Sequence, residues 1–367
     1  MSHYDLAVVG GDGIGPEITR ETIRVVRAAA DTVGIALDTV DLDASAVRWM
    51  RTGVALPDDQ LAACLAADAV YLGAIGLPEA RHPDGREVNG DVILGLRTGL
   101  DLYAGLRPAR SFAGVPKVLT TAADIDYVVV RENVEGMFAS RLGGARVGDA
   151  VVTDTLIITR YGTERVVRRA FELARTRHLR TPDRPARVTC VDKSNAFASY
   201  AFFRAVFDDV AAEYPDVERD YAYIDAMTTY QVQRPERFDV VVTENLFGDI
   251  ISDLAGATVG GLGLAPSADV GDEHGMFQSA HGSAPDIAGL GIANPTAAIL
   301  SGALMLSWLG AQHDDAAALA AGERVERAIA SVLADPALRT PDLGGPQTTE
   351  GFGDAVLRAV EADAAAA

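Results

Sequence analysis

The chain has 367 residues and carries 32 Lys+Arg against 52 Asp+Glu, a formal charge of −20 at pH 7. That length suits one large or two ordinary globular domains, and so acidic a surface, with no run of positive charge, argues against a nucleic-acid partner. Two cysteines, Cys64 and Cys190, are too few for a disulfide framework or a zinc cluster and read as small buried hydrophobes.

In chain order, short β-branched runs alternate with helical periodicity, the pattern of a mostly parallel sheet with helices on its faces. The N-terminus, MSHYDLAVVGGDG, lacks a basic region and a long apolar run, so a cytoplasmic location without export is expected. Strands are predicted at Leu6–Val9, Val70–Leu72, Lys117–Thr121, Tyr127–Arg131, Arg187–Val191 and Phe238–Thr243. After Pro16, the residues Ile18, Thr22, Val25, Val26, Ala29 and Val33 recur at spacings of three and four, which predicts an amphipathic helix. The apolar stretch Ile292–Ala311 raises the question of a membrane span. Asn294, Pro295, Ser301 and Ser307 interrupt it, so a buried helix capped by Asn294 and begun by Pro295 is the better reading. No linker stands out, and any two domains must be interleaved or closely joined; the Ala-rich end is expected to fray.

The loop Gly10-Gly11-Asp12-Gly13-Ile14-Gly15-Pro16 leaves a strand and enters a helix, which invites comparison with the dinucleotide-binding fingerprint. The spacing fails: from Gly11 or Gly13, the third glycine of G-x-G-x-x-G would fall on Pro16 or Ile18. The plainer reading is a tight turn into a Pro-started helix.

Arg97 and Arg107 flank a short apolar stretch, and Arg131 closes a predicted strand. A guanidinium grips a carboxylate with two parallel bonds, and ligands of open α/β sheets bind beyond the carboxyl ends of strands. Taken singly, each arginine reads better as a solvated surface charge, and Arg131 at the strand end is the best candidate of the three. In TENLFGDIISD, Asp249 and Asp253 stand four apart on one helix face, where like charges repel unless a cation or the helix N-terminus compensates them. Oxygen ligands point to Mg²⁺ or Mn²⁺, with Asp225 a candidate third ligand.

Of the 32 basic residues, only Lys117 and Lys193 are lysine. Lys193 follows a strand in VDKSNAF, and near a divalent ion its amine could act as a proton acceptor, which arginine cannot. Lys117 has no such context.

The order and local sequence of these pieces resemble the β-decarboxylating dehydrogenases, the isocitrate/isopropylmalate dehydrogenase family that includes the tartrate/D-malate enzymes. The most specific stretches are VVVTENLFGDIISDLAGATVGGLGLAPSADVG (Val240–Gly271), HGSAPDIAGLGIANPTAAIL (His281–Leu300) and VDKSNAF (Val191–Phe197). The resemblance implies an α/β fold of two interleaved domains with a central cleft, not a Rossmann fold. Residues 1–102 plus 260–367 would form the cofactor side; 103–259 would carry substrate, metal and dimerisation. It implies that Arg97, Arg107 and Arg131 grip the carboxylates of a malate, with Asn195 nearby. Asp249 and Asp253 would hold Mg²⁺ or Mn²⁺ together with Asp225 of a partner subunit, and Lys193 and Asp225 would act in proton transfer, making a homodimer obligatory. His281, Gly282, Ser283, Ala284, Asp286, Ile287 and Asn294 would form the cofactor loop. Asp286-Ile287 replaces the Lys-Tyr of NADP-using relatives, and a carboxylate there would repel a 2′-phosphate, so NAD is expected.

Two departures matter. Phe138 stands where relatives have a tyrosine assigned to protonate the enolate after CO₂ leaves, and Phe has no proton to give. Gln278 stands where relatives have a glutamate near the cofactor. For substrate choice, Asp91 sits where isocitrate enzymes have a serine that meets the third carboxylate, and it would repel one. Ile93 and Leu94 match leucines that isopropylmalate enzymes offer to the isopropyl group, whereas the preceding loop 81–90 differs from theirs. The expected activity is oxidation, with decarboxylation, of a 3-substituted malate, best 3-isopropylmalate. The alternatives are a tartrate/D-malate-type dehydrogenase without efficient decarboxylation, or a non-catalytic regulatory subunit of the family.

Overall fold

A computed structural model describes residues 2–119, 124–141 and 143–366. Its strands in chain order are β1 (His3–Val9), β2 (Ala36–Leu42), β3 (Ala69–Leu72), β4 (Ala104–Arg110), β5 (Asp126–Glu132) and β6 (Arg146–Val147). They continue with β7 (Val151–Val152), β8 (Arg187–Asp192), β9 (Glu218–Tyr223), β10 (Val240–Thr243), β11 (Pro266–Val270) and β12 (Gly275–Ser279). The helices are α1 (Gly15–Asp31), α2 (Ala46–Thr52), α3 (Asp58–Ala66), α4 (Asn89–Gly99), α5 (Arg160–Arg180) and α6 (Ala198–Ala211). Then come α7 (Ile224–Gln233), α8 (Asn245–Thr258), α9 (Thr296–Gln312), α10 (Ala316–Ala334) and α11 (Thr349–Ala366).

The chain divides into two compact units. Met1–Leu100, Phe112–Pro116 and Gly260–Ala367 form the first; Asp101–Ser111 and Lys117–Val259 form the second. In the first unit the strands lie in the order β2-β1-β3-β12-β11, parallel except for the antiparallel β11–β12 pair. In the second the order is β4-β5-β10-β8-β9, parallel except for β4–β5. Pairing of β3 with β12 joins residues some two hundred positions apart, Val70 opposite Met276, so the first unit is assembled from both ends of the chain.

The periodicity after Pro16 produces α1, which buries Ile18, Thr22, Val25, Val26 and Ala29. Val33 lies beyond it, because the helix ends at Asp31. The apolar stretch becomes α9, with twelve of its residues buried against α1, α10 and the strands β11 and β12. Asn294 Oδ1 accepts the amide of Thr296 at 3.0 Å, so Asn294 does cap the helix, whereas Pro295 stands just outside it rather than in its first turn. Among the described residues no helix is long and apolar enough to cross a membrane.

The strand expected at Lys117–Thr121 does not form over 117–119, and its last two residues lie outside the described ones. Lys117 instead pairs with Asp124 at 3.3 Å. In the second unit, Tyr127, Val129, Val191, Phe238, Val241 and Ile251 make one buried core between the sheet and α7 and α8. The carboxyl ends of β5, β8 and β10 are thereby fixed, and Arg131, Lys193 and the start of α8 leave from those ends.

Candidate active site

In the second unit Arg131 occupies the penultimate position of β5 and is only 4% exposed. Its Nε and one terminal nitrogen donate to Asn245 Oδ1 at 3.0 and 2.8 Å, and the other terminal nitrogen donates to Asp249. A buried guanidinium is stable only when its fork is met by acceptors in this way. Room for it comes from Gly248: a Cβ there would lie 2.6 Å from Arg131 Cγ. The ring of Phe138 covers the guanidinium, 5.2 Å from Cζ to the ring centroid.

One turn after Asp249 on α8, Asp253 is drawn into the same field. Desolvation and then the Asp249 charge push its carboxyl above the usual range, and Arg107 and Arg131 pull the other way. Arg107 is buried on β4. Two carboxylates and two guanidinium groups are therefore brought together here, as the spacing of four implied. Glu244 caps α8, taking the amides of Leu246 and Phe247 at 3.0 and 2.9 Å.

Lys193 and Asp225 lie at the ends of β8 and β9, paired at 2.5 Å. The lysine partner holds the exposed Asp225 below the usual carboxylate range. Asp225 does not join Asp249 and Asp253 within one chain. Among the described residues, only the exposed His3, Asp5 and Asp38 place three such ligand atoms within 4.8 Å of one another. Asn195 is exposed in the turn after Lys193.

In the first unit α4 carries Ile93, Leu94 and Arg97 at spacings of three and four, on one face. Arg97 is 5% exposed, and its Nε donates to Asp269 Oδ2 at 2.9 Å. Gln278 Nε2 donates to the same oxygen at 3.2 Å. Gln278 thus sits beside the Arg97–Asp269 pair, where a glutamate would add a second carboxylate against Asp269. Asp91 lies off the Arg97 face and is not a bare repelling charge: His82 Nε2 stands 2.8 Å from its Oδ2, and Trp49 packs edge-on to that imidazole.

The segment 281–288 packs on the start of α1. Ile14 N donates to Ser283 O at 2.8 Å, and the Ser283 hydroxyl donates to Gly76 O. Gly13 has φ +57°, and a Cβ on it would lie 2.1 Å from Ser283 O, so only glycine fits. Ala284, Ile287 and Ala288 rest on Ile14, Ile18, Ala74 and Ala293. Asp286 and Gly282 are exposed. Asn294 Nδ2 donates to Asp342 at 2.9 Å. Burial lowers the pKa of His281 and keeps its ring neutral; Nε2 is buried and has no hydrogen-bond partner among the described residues.

The profile of isocitrate/isopropylmalate dehydrogenases matches residues 5–356. The 3-isopropylmalate/3-methylmalate dehydrogenase of Methanocaldococcus jannaschii is 44% identical over 97% of this chain and 99% of its own. The chain belongs to the isocitrate/isopropylmalate dehydrogenase family. The 3-isopropylmalate dehydrogenase of Corynebacterium efficiens is 46% identical over 97% of this chain and 99% of its own. Among solved structures, isocitrate dehydrogenase from Methylococcus capsulatus aligns with a TM-score of 0.84 at 36% identity, covering 97% and 99% of the two chains. The fold is thus that of the family and not a Rossmann arrangement, in keeping with the failed glycine spacing.

As a dehydrogenase of this family the protein needs a nucleotide cofactor and a divalent metal, and its residues fit both. The orphaned, neutral imidazole nitrogen of His281 suits a base or ribose edge. The all-oxygen pair Asp249 and Asp253, the latter raised by burial and then by its neighbour's charge, suits a hard divalent cation.

Three supporting residues escaped the sequence reading. Asn245 and Gly248 shape the seat of Arg131. Asp12, buried in the glycine loop, accepts the amides of Ala46, Val47 and Gly76 at 2.9, 3.0 and 2.9 Å and ties three loops together.

Proposed function

We propose that this dehydrogenase oxidises a 3-alkylmalate, best 3-isopropylmalate, with NAD⁺ and Mg²⁺ or Mn²⁺, and releases CO₂. The observation that carries this reading is the meeting of Arg107 and Arg131 with Asp249 and Asp253 at the carboxyl end of the second unit's sheet. The relatives named for isopropylmalate support the choice of substrate, and the half-exposed Ile93 and Leu94 offer it an apolar face. Exposed Asp286 supports NAD, since it would repel a 2′-phosphate.

In this scheme Arg97, Arg107 and Arg131 orient the carboxylates, and Asp249 and Asp253 hold the cation. The first unit serves the nucleotide, with His281–Ile287 and Asn294 around it. Lys193, in its neutral amine form beside Asp225, accepts the proton of the 2-hydroxyl and becomes the ammonium. When bound, NAD⁺ would supply the acceptor for the carbon 2 hydride and the cation would supply polarisation of the oxygen there, for the oxidation and for loss of the 3-carboxylate as CO₂. Phe138 shields Arg131 from water but supplies no proton, so the proton that replaces CO₂ at carbon 3 comes from solvent.

Purified enzyme with NAD⁺ and Mg²⁺ or Mn²⁺ tests the reading on isopropylmalate, methylmalate, malate, tartrate and isocitrate. Isopropylmalate should give the highest kcat/KM; best turnover of isocitrate, or preference for NADP⁺, would overturn it. A second reading, oxidation without efficient decarboxylation, is favoured by Phe138 alone. It predicts less CO₂ than NADH; equal amounts would dispose of it.

Among the described residues, Asp225 forms no three-ligand cluster with Asp249 and Asp253 in one chain, which supports a homodimer with shared sites. Mixing inactive Lys193→Ala and Asp249→Asn proteins after dissociation should then restore about a quarter of wild-type activity, because half the dimers regain one intact site. No recovery in dimers shown to have exchanged would mean that each chain completes its own site.

A further inference from the structure

We propose that Arg204 is the positioning residue for Lys193, acting through Asp192 and Tyr223. This rests on the reading that Lys193 takes the substrate proton. Lysine has a long, flexible stem, and an amine that must meet one hydroxyl has to be held from outside. Asp192, the last residue of β8, immediately precedes it and is fully buried. Its Oδ1 accepts the amide of Ser194 at 2.8 Å, so one carboxylate grips the backbone on the far side of Lys193. The turn then closes with the amides of Ala196 and Phe197 on Lys193 O at 3.0 and 3.2 Å.

A buried carboxylate of this kind stays ionised only if a cation meets it. That cation is Arg204 on α6, whose Nε donates to Asp192 Oδ2 at 2.6 Å and a terminal nitrogen to Oδ1 at 3.0 Å. The guanidinium also lies over two rings, Tyr221 at 5.0 Å and Tyr223 at 5.3 Å. Those tyrosines stand two apart on β9 and so point to the same side of the strand. Tyr223 is shared: Lys193 Nζ stands 5.9 Å from the same ring centroid.

The arrangement is therefore a chain of contacts from a buried anion to the amine. Asp192 fixes Arg204, Arg204 fixes the Tyr223 ring, and that ring together with Asp225 brackets the ammonium group. Because Asp192 neutralises Arg204, two cations can share one aromatic neighbour without repelling each other. Lysine at 204 would keep the charge but lose the planar fork and the stacking. This gives a physical reason why arginine occupies position 204 while lysine is retained at 193.

The test compares Arg204→Gln, Arg204→Lys, Lys193→Ala and the double variant Lys193→Ala/Arg204→Gln. Arg204→Gln should lower kcat roughly 30-fold with KM moved less than about twofold, and Arg204→Lys should recover part of that loss. In the Lys193→Ala background the same Arg204→Gln change should cost less than about twofold, because its target is gone. A second readout needs no substrate: acetic anhydride labels both lysines, and mass spectrometry gives Lys193 relative to Lys117. Arg204→Gln should raise that ratio at least about threefold, as the amine leaves its bracket. If Lys193→Ala alone keeps full turnover, the reading of the site fails. If Lys193→Ala is impaired, yet Arg204→Gln costs the same factor in both backgrounds or leaves the labelling ratio unmoved, the positioning role fails while the site stands. Arg204→Lys supplies the same comparison if Arg204→Gln does not fold.

Discussion

The two units hold their candidate site residues by different means. In the first unit the segment proposed for the cofactor is held mainly through backbone atoms: Ile14 N on Ser283 O, Gly76 O accepting the Ser283 hydroxyl, and a glycine at 13 where no Cβ fits. In the second unit the seat of Arg131 is made of side chains, namely Asn245, Asp249 and Phe138. A backbone cradle tolerates changes of charge but not of volume. A side-chain cluster responds to charge and geometry directly, so the two should fail in distinguishable ways.

Arg131→Lys tests the side-chain half and carries the largest expected effect. The ammonium cannot reproduce three directed bonds, and kcat/KM for the malate should fall about 10³-fold while KM for the nucleotide changes little. A fall of less than tenfold would show that Arg131 is not gripping substrate. Gly13→Ala tests the backbone half: the strained φ and the clash with Ser283 should cost roughly 2–4 kcal/mol of stability and raise KM for the nucleotide. An unchanged melting temperature and nucleotide KM would remove the distinction drawn between the halves.

Glu132 gives a pH-dependent version of the comparison. Burial pushes its carboxyl up to about 7, against the amides of Val134 and Glu135, which favour the anion. A folded-state pKa above the unfolded one means that the folded protein binds more protons between about pH 4.5 and 7. The contribution of this group to stability is therefore full at the low end and is lost as pH rises through 7, by roughly 3 kcal/mol. Chemical denaturation of wild type and Glu132→Gln across pH 5–8 should show the slope in the former and lose most of it in the latter. The smallest effect is expected for Phe138→Tyr, below about threefold in the ratio of CO₂ to NADH, if solvent already protonates carbon 3 freely.

The sequence displayed what depends on local pattern. Alternation of strand and helix, the α1 periodicity from Ile18 to Ala29 and the Asp249–Asp253 spacing all reappear, because each is set by residues within a few positions of one another. Strands β2, β4, β6, β7, β9, β11 and β12 were not recognised: Ala36–Leu42 carries two aspartates and Ala104–Arg110 contains a glycine and a proline, so neighbours across the sheet, not composition, make those two strands. At Lys117–Thr121 the opposite error occurred, a β-branched run with no strand over 117–119. The chemistry-bearing residues were visible through resemblance and residue type. Their supports were not, since Asp12, Asn245 and Gly248 matter only through partners tens of positions away.

The pairing of β3 with β12 also bears on how the molecule is made. When a ribosome has finished residue 259, every strand and helix of the second unit has already emerged or is about to. The first unit is then only half there: β1, β2 and β3 wait with one edge open for a neighbour that has not been synthesised. At about 5–20 residues per second the remaining hundred or so take on the order of ten seconds. During that interval the growing polypeptide carries one finished half and one open sheet edge, the kind of surface that chaperones cover and that mispairs with other nascent chains.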